Sequence, residues 1–395
     1  DQRCPRHRSQ HLKPRSRRLS LYPLLGQTKR KGGLGEIPGY HMDEIVPHVD
    51  KVAEAIDVYH EARSDSPRPH LGASVIGHHC QRWIWLSFRW GIREKFPGRI
   101  RRLFRRGHNE ESIVVQDLKS IGIKIHNTGY DQQMVKLGGH LGGSVDGIIE
   151  GGVPGDEETR YIAEFKTHAL KSFEDLIKTC VLDSKPMHWA QMQLYMHGLG
   201  IKRALYVAVC KNDDRMYTEQ VSYNPEKAEQ LLERGRKISL AERMPDPIST
   251  NPTWWKCKFC AAHSFCHKRQ LTKEINCRTC AHSTPEDDGT WTCARWDGME
   301  IPEDFQQKGC DGHVLHPDMV PWELKPSDNP HEAVYEINGV DVRNGEGDAF
   351  TFSSQELIAG GDACASQEVS EVKRVFPGAK VKEVRDAARL PTAGN

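Results

Sequence analysis

The sequence predicts an α/β protein, a mixed central sheet flanked by helices, followed by a cysteine-rich C-terminal extension organised by metal. Three observations predict it. Apolar residues repeat with a helical period to about residue 121, alternate through residues 123–167, and then switch between helix and strand patterns up to residue 243. Seven of the twelve cysteines fall between Cys257 and Cys310, with few apolar repeats around them. Hydrophobic residues make up 37% and charged residues 28% of 395, which suits a soluble globular chain of one large domain plus an appendage, or two modest domains.

Taken in order, residues 1–41 hold ten Lys or Arg against Asp1 and Glu36, so this stretch carries +8 in a chain of net charge +1. It reads as a disordered basic leader, or as sequence upstream of a start at Met42; a DNA-touching arm and a transit peptide are the other readings. Leu21–Leu25 is too short for a signal-peptide core, and no apolar run approaches the roughly 18 residues needed to cross a bilayer. The expected location is therefore the cytoplasm, with no membrane partner. Residues 43–63, 74–90 and 101–121 read as helices. Residues 123–125, 134–137, 141–149 and 161–167 read as strands. Residues 186–199 and 225–243 are helical, with strands at 204–210 and 216–221 between them. Beyond Pro245 a segment rich in Pro, Trp and Cys cannot bury a core of its own size, so metal is its expected organiser. Residues 323–395 are acidic and Gly-rich, with one strand-like run at 333–342 and a short helix at 366–374.

The chemistry concentrates in Gly143-Ser144-Val145-Asp146-Gly147 and Ile162-Ala163-Glu164-Phe165-Lys166-Thr167. Residues two apart on a strand share a face, so Glu164 and Lys166 project together and Asp146 can join them from the preceding strand. Two acids and a lysine on one face are costly unless a metal or partner charge uses them. Phosphodiester hydrolysis is such a use. Asp146 and Glu164 would hold Mg²⁺ or Mn²⁺ through hard oxygens, and Lys166 would orient the attacking water or stabilise developing negative charge. A surface strand of alternating charge is the bland alternative.

Four motifs in order, Gly107-His108-Asn109-Glu110-Glu111, Gly143 to Gly147, Glu164-Phe165-Lys166, and Gln191-Met192-Gln193-Leu194-Tyr195, resemble the RecB-like branch of the PD-(D/E)XK nuclease superfamily across roughly residues 72–270. The resemblance implies a restriction-endonuclease-like core and a DNA exonuclease of end processing in recombination, repair or phage DNA metabolism. Its setting would be a bacterial or phage-infected cell, and its partners DNA ends and a recombinase, helicase or annealing protein. It implies that Glu111, with Glu110 as competitor, is a further acid near the metal, and that Gln191 and Tyr195 contact substrate or support the ligands. Cys80 before the core and Cys257-x-x-Cys260-x5-Cys266 after it match the arrangement of iron–sulfur members, which implies a [4Fe–4S] cluster. Cys277-x-x-Cys280, Cys293 and Cys310 could form a tetrahedral zinc site, with His282 or His313 as substitutes for one thiol. A rival partition joins Cys257, Cys260, Cys277 and Cys280 in one zinc ribbon. Cys4, Cys180, Cys210 and Cys364 read as unpaired thiols.

Arg89–Arg106 holds eight basic residues against Glu94, a stripe suited to the phosphate backbone, with Arg101, Arg102, Arg105 and Arg106 nearest the Gly107–Glu111 motif. The aromatics at 83–90 read as core. The expected organisation is a basic leader (1–41), a nuclease domain closed by an iron–sulfur cluster (42–270), a zinc-binding segment (271–322) and an acidic extension (323–395). A non-catalytic, cysteine-organised DNA-binding or scaffolding module and a zinc-ribbon transcription or processing factor are the competing readings.

Overall fold

The computed structural model describes residues 51–63 and 66–382; the basic leader, Met42 and Cys4 lie outside them. Helix α1 (Lys51–Ala62) is followed by β1 (Leu71–Gly72), α2 (Ala73–Ile76), α3 (Gln81–Phe88) and α4 (Gly98–Ser120). The single helix expected over 74–90 is broken between α2 and α3. Gly77 lies against Ala190, where an added Cβ would come within 2.9 Å of that side chain, and Cys80 takes the extended N-cap position of α3. The start of α4 lies tight against α1: a Cβ on Gly98 would collide with the backbone of Asp57.

Strands β2 (Lys124–His126), β3 (Met134–Lys136), β4 (Leu141–Ser144), β5 (Gly147–Glu150), β6 (Tyr161–His168), β7 (Arg203–Cys210) and β8 (Met216–Ser222) follow. The main sheet has the order β2-β5-β6-β7-β8, with β6 and β7 parallel and the other neighbours antiparallel. The run expected as one strand over 141–149 is two. β4 pairs with β1 and β3 in a separate sheet, while β5 joins the main one. Val145 and Asp146 make the crossing between them.

The parallel β6–β7 connection carries α5 (Leu170–Ser184) and α6 (Pro186–Leu199), as a crossover requires. Sequence reading missed α5, whose signal is the helical spacing of Phe173, Leu176 and Ile177; it buries Phe173, Leu176 and Val181. Helix α7 (Pro225–Ser239) is capped by Asn224, whose side chain accepts from the backbone of Lys227 at 3.0 Å. One face of the sheet packs against Val114, Val115 and Leu118 of α4 through Ala163, Phe165, Val207 and Val209. The other packs Ile162, Tyr206 and Ala208 against α6 and the α3 aromatics. Trp85, Phe88 and Trp90 are core, as expected.

Short helices α8 (Trp255–Lys258) and α9 (His263–Lys268) lead into a small sheet of β9 (Ser283–Pro285), β10 (Trp291–Cys293) and β11 (Met299–Glu300). The segment after Pro245 does not lack a core, because it shares the main one: Trp291, Ile301 and Met319 are buried with the α3 residues. Further on, β12 (Glu323–Lys325), β13 (Ala333–Ile337) and β14 (Val340–Asn344) form a third sheet. Its core contains Val314, Leu315, Trp322, Tyr335, Ile337, Phe352 and Leu357. The strand-like run at 333–342 is thus part of a hairpin, turned at Asn338-Gly339, both with positive φ (51° and 82°). Cys210 and Cys364 are free and buried, whereas Cys180 is not a free thiol. No helix among the described residues is long and apolar enough to cross a membrane.

Candidate active site

β6 presents Glu164, Lys166 and His168 to the side of α6, while Ala163 and Phe165 face α4. The antiparallel ladder with β5 ends at Gly147 opposite Ala163, so the Phe165 N–H has no strand partner there. Asp146, in the crossing just before β5, supplies the acceptor: its Oδ2 takes that N–H at 2.8 Å. This backbone bond fixes Asp146 beside β6 even though it is not on a strand. Gln132 Nε2 donates to the other oxygen at 3.4 Å.

Lys166 Nζ lies 3.6 Å from Asp146 Oδ2 and forms a close ion pair with Glu164 Oε1. Glu164 is 0% exposed, and its Oε1 accepts no hydrogen bond of normal geometry. Burial holds the Glu164 carboxyl well above the usual carboxylate range, against the pull of Lys166. Burial also disfavours the Lys166 charge, but Glu164 and Asp146 outweigh it and keep the ammonium protonated. Gln191 Nε2 donates to Glu164 Oε2 at 3.1 Å and to Tyr195 Oη at 3.5 Å, one turn further along α6. The Tyr195 ring lies over Gly143: a Cβ there would come within 3.0 Å of the ring edge and closer still to the hydroxyl. The glycine of the Gly-x-x-Asp-Gly motif is what lets the aromatic approach.

Glu111 and Glu110 line a groove of about 460 Å³ between α4 and the end of β6, with Phe165, Lys166, Thr167 and Lys211. Burial, then the charge of Asp146, pushes the Glu111 carboxyl up, and its charge in turn reaches Glu164.

Sequence reading did not bring three neighbours together. Tyr206 stands opposite Glu164 in the parallel register, and its hydroxyl lies 2.9 Å from both His168 Nε2 and His188 Nδ1. Burial lowers His168 to about 4 and His188 to about 3, so both are neutral near pH 7. The available signal was spacing: His168 follows Lys166 by two on the strand, and His188 precedes Gln191 by three on the helix.

The basic stripe is partly spent inside the protein. Arg89 is buried, against the rings of Trp85 and Trp291, because its long stem and flat guanidinium stack there while the Arg278 carbonyl accepts its N–H. Arg102 pairs with Asp57 of α1 at 3.2 Å, and Arg101 is half-buried. Arg105 and Arg106 are exposed; Arg106 donates to the Lys211 carbonyl at 3.1 Å, beside the groove.

The thiols fall into two groups. Cys80, Cys257, Cys260 and Cys266 line one small cavity with Trp83 and His263. Burial raises Cys260, and the thiols adding to that are Cys80, Cys266 and Cys257. Burial likewise pushes Cys277 up to about 11, with contributions from Cys310 and Cys293. The rival ribbon would mix members of the two groups. His313 does not serve as a substitute ligand, since Ser354 Oγ engages one ring nitrogen at 2.8 Å and Thr279 and the Asn276 carbonyl engage the other at 3.1 Å. Among the described residues no three His, Cys, Asp or Glu side chains close on a common point at ligand distance.

Residues 50–267, more than half of the chain, match the family model described as the PD-(D/E)XK nuclease superfamily. Similar solved structures include LHK-Exo in complex with dAMP (14% identity, 47% of this chain and 90% of that one, TM-score 0.33). Another is an alkaline exonuclease (LHK-Exo) from Laribacter hongkongensis (15%, 47% and 90%, 0.30). A third is SSO0001 (14%, 54% and 96%, 0.35). No curated protein sequence matches the chain.

Proposed function

The chain belongs to the PD-(D/E)XK nuclease superfamily, and from that premise we propose that it is a metal-dependent deoxyribonuclease acting on DNA ends, with Asp146, Glu164 and Lys166 at its centre. The observation that carries the reading is the convergence of these three side chains through one backbone bond and two ion pairs. PD-(D/E)XK nucleases use divalent metals such as Mg²⁺. Asp146, Glu164 and Glu111 would hold Mg²⁺ or Mn²⁺ here. The donor set fits, being all carboxylate oxygen, with one oxygen of Glu164 buried and lacking a normal hydrogen bond. When bound, the metal supplies an activated water and neutralises phosphate charge.

The protein's own contributions follow from the geometry. Lys166 keeps its proton and offers it toward charge that develops on the phosphate. Gln191 holds the Glu164 carboxylate from behind, and Tyr195 braces Gln191. Exposed Arg105 and Arg106, the latter bonded to the carbonyl of Lys211, and Lys211 itself, which lines the α4–β6 groove, would receive the phosphate backbone without reading sequence. Cys80, Cys257, Cys260 and Cys266 would hold a [4Fe–4S] cluster, tying α3 to the segment after α7; their gathering round one cavity supports this. The setting we infer is DNA end processing in recombination, repair or phage DNA metabolism in a bacterial or phage-infected cytoplasm. A recombinase, annealing protein or helicase would be a separate chain.

The test is degradation of end-labelled linear single- and double-stranded DNA by anaerobically purified protein with Mg²⁺ or Mn²⁺. Metal-dependent cutting abolished by Glu164→Ala and by Lys166→Ala is expected. Equal cutting by both variants, or binding without cutting by the wild type, overturns the assignment.

A further inference from the structure

The second group of thiols has a geometry of its own. Cys277 and Cys280 bracket a tight turn in which the Cys280 N–H donates to the Cys277 carbonyl at 3.0 Å. Asn276 and Thr279 cap that turn reciprocally. The other two thiols are brought toward it by separate segments. Cys293, at the end of β10, pairs with Ser283, three residues after Cys280. Cys310 follows Gly309, where an added Cβ would lie 3.2 Å from Ile275 and 3.6 Å from Asn276 at the foot of the turn. The Val314 N–H donates to Cys280 Sγ at 3.4 Å, which fixes Cys280 against the segment that follows Cys310. Three backbone segments thus bring four cysteines to the surroundings of one turn, in a stretch with little regular structure to hold it.

We propose that Cys277, Cys280, Cys293 and Cys310 form a structural Zn²⁺ site, separate from the nuclease centre and from the Cys80 group, and that it locks the C-terminal segment into the nuclease core. Four thiolates in tetrahedral array are the ligand set of closed zinc sites, which supply folding energy directly. Binding exchanges the thiol protons for Zn–S bonds, with no redox change.

What the site would hold in place is visible between its first two ligands. Arg278 is buried, its guanidinium 3.8 Å from the Trp90 ring centre and 4.8 Å from that of Trp291. It donates to the Phe88 carbonyl at 3.1 Å, the Pro69 carbonyl at 2.6 Å and Gln306 Oε1 at 2.8 Å. The turn therefore carries a key into the junction of α3 with the segment leading to α4. Zinc fixes the turn, the turn fixes Arg278, and Arg278 fixes the approach to α4, which bears Glu111.

The experiment measures zinc and iron in the full chain by mass spectrometry. Wild type, Cys293→Ser/Cys310→Ser and Cys80→Ser/Cys266→Ser are compared. About one zinc per chain is expected, lost in the first variant and kept in the second. Absence of zinc from the wild type, or its retention in Cys293→Ser/Cys310→Ser, overturns the site. Loss of zinc from Cys257→Ser/Cys260→Ser would assign it to the rival ribbon instead. Should Cys293→Ser/Cys310→Ser fail to fold, Co²⁺-loaded wild type decides. The strong visible bands of tetrahedral cobalt thiolate, displaced by Zn²⁺, are expected, and their absence overturns the proposal.

Discussion

Gln191 offers the sharpest probe of how the metal ligands are held. It is 7% exposed, and its amide donates at 3.1 Å to an oxygen of Glu164, which is itself fully buried. That bond favours the ionised carboxylate, the form that binds metal. Gln191→Leu, of similar volume, removes the donor and leaves the oxygen with no replacement from solvent. Hydrogen bonds to charged groups contribute about 1.5–3 kcal/mol, and loss of such supports costs roughly 10- to 100-fold in metal affinity. The assay is a Mg²⁺ titration of the initial cutting rate, alongside thermal melting. The Mg²⁺ midpoint should rise by about 10- to 100-fold, with much of the rate recovered at saturation and melting little changed. An unchanged midpoint refutes the reasoning. A rate lost at every Mg²⁺ concentration, in a protein that melts normally, would make Gln191 a substrate contact instead.

Three further outcomes follow from other contacts. Gly143→Ala should reduce cutting because the new methyl meets the Tyr195 hydroxyl; Tyr195→Phe in the same chain should restore part of the rate if that clash is the cause. Arg278→Met should destabilise by about 1–3 kcal/mol, since it leaves Gln306 and two carbonyls without their donor in the core; the denaturant midpoint reports it. Glu356 and Lys373 form a buried pair at 2.8 Å. Burial alone would raise the Glu356 carboxyl, but Lys373 and the Ser353 and Val381 N–H groups more than offset it and the net shift is downward. A depressed carboxylate stabilises above its unfolded value of 4.5 and loses that stability as pH falls through the lower folded value. Exchange protection of β13 should accordingly drop below pH 4.5 in the wild type, and Lys373→Ala should flatten this dependence while lowering protection at pH 7.

The pairing of Glu164 with Lys166 was legible because a strand's two-residue period leaves no choice of face, and Gln191 with Tyr195 because four residues make one helical turn. Asp146 was placed correctly in space for a different reason than its pattern suggested. The run from Leu141 to Ile149 alternates well enough for one strand, and only the three-dimensional pairing of β4 with β1 reveals the break. Tyr206 was invisible as a site residue, since in an apolar run a tyrosine reads as core. Arg89 was misread for the opposite reason: arginine signals solvent, and nothing local announces the aromatic rings that accept it. The hairpin beyond residue 314 was legible only as one strand-like run at 333–342, because each of its two strands is five residues long.

The sharing of Trp291, Ile301 and Met319 with the main core changes where this protein can be cut. The superfamily match ends at residue 267, yet a fragment trimmed there would expose the face of Phe88 that Trp291 covers and the face of Trp85 that His316 covers. The boundary of inherited sequence and the boundary of the cooperative folding unit do not coincide. What looks like an appendage is the far wall of the main core, and shortening the chain to its recognisable part would leave an open-sided, aggregation-prone shell.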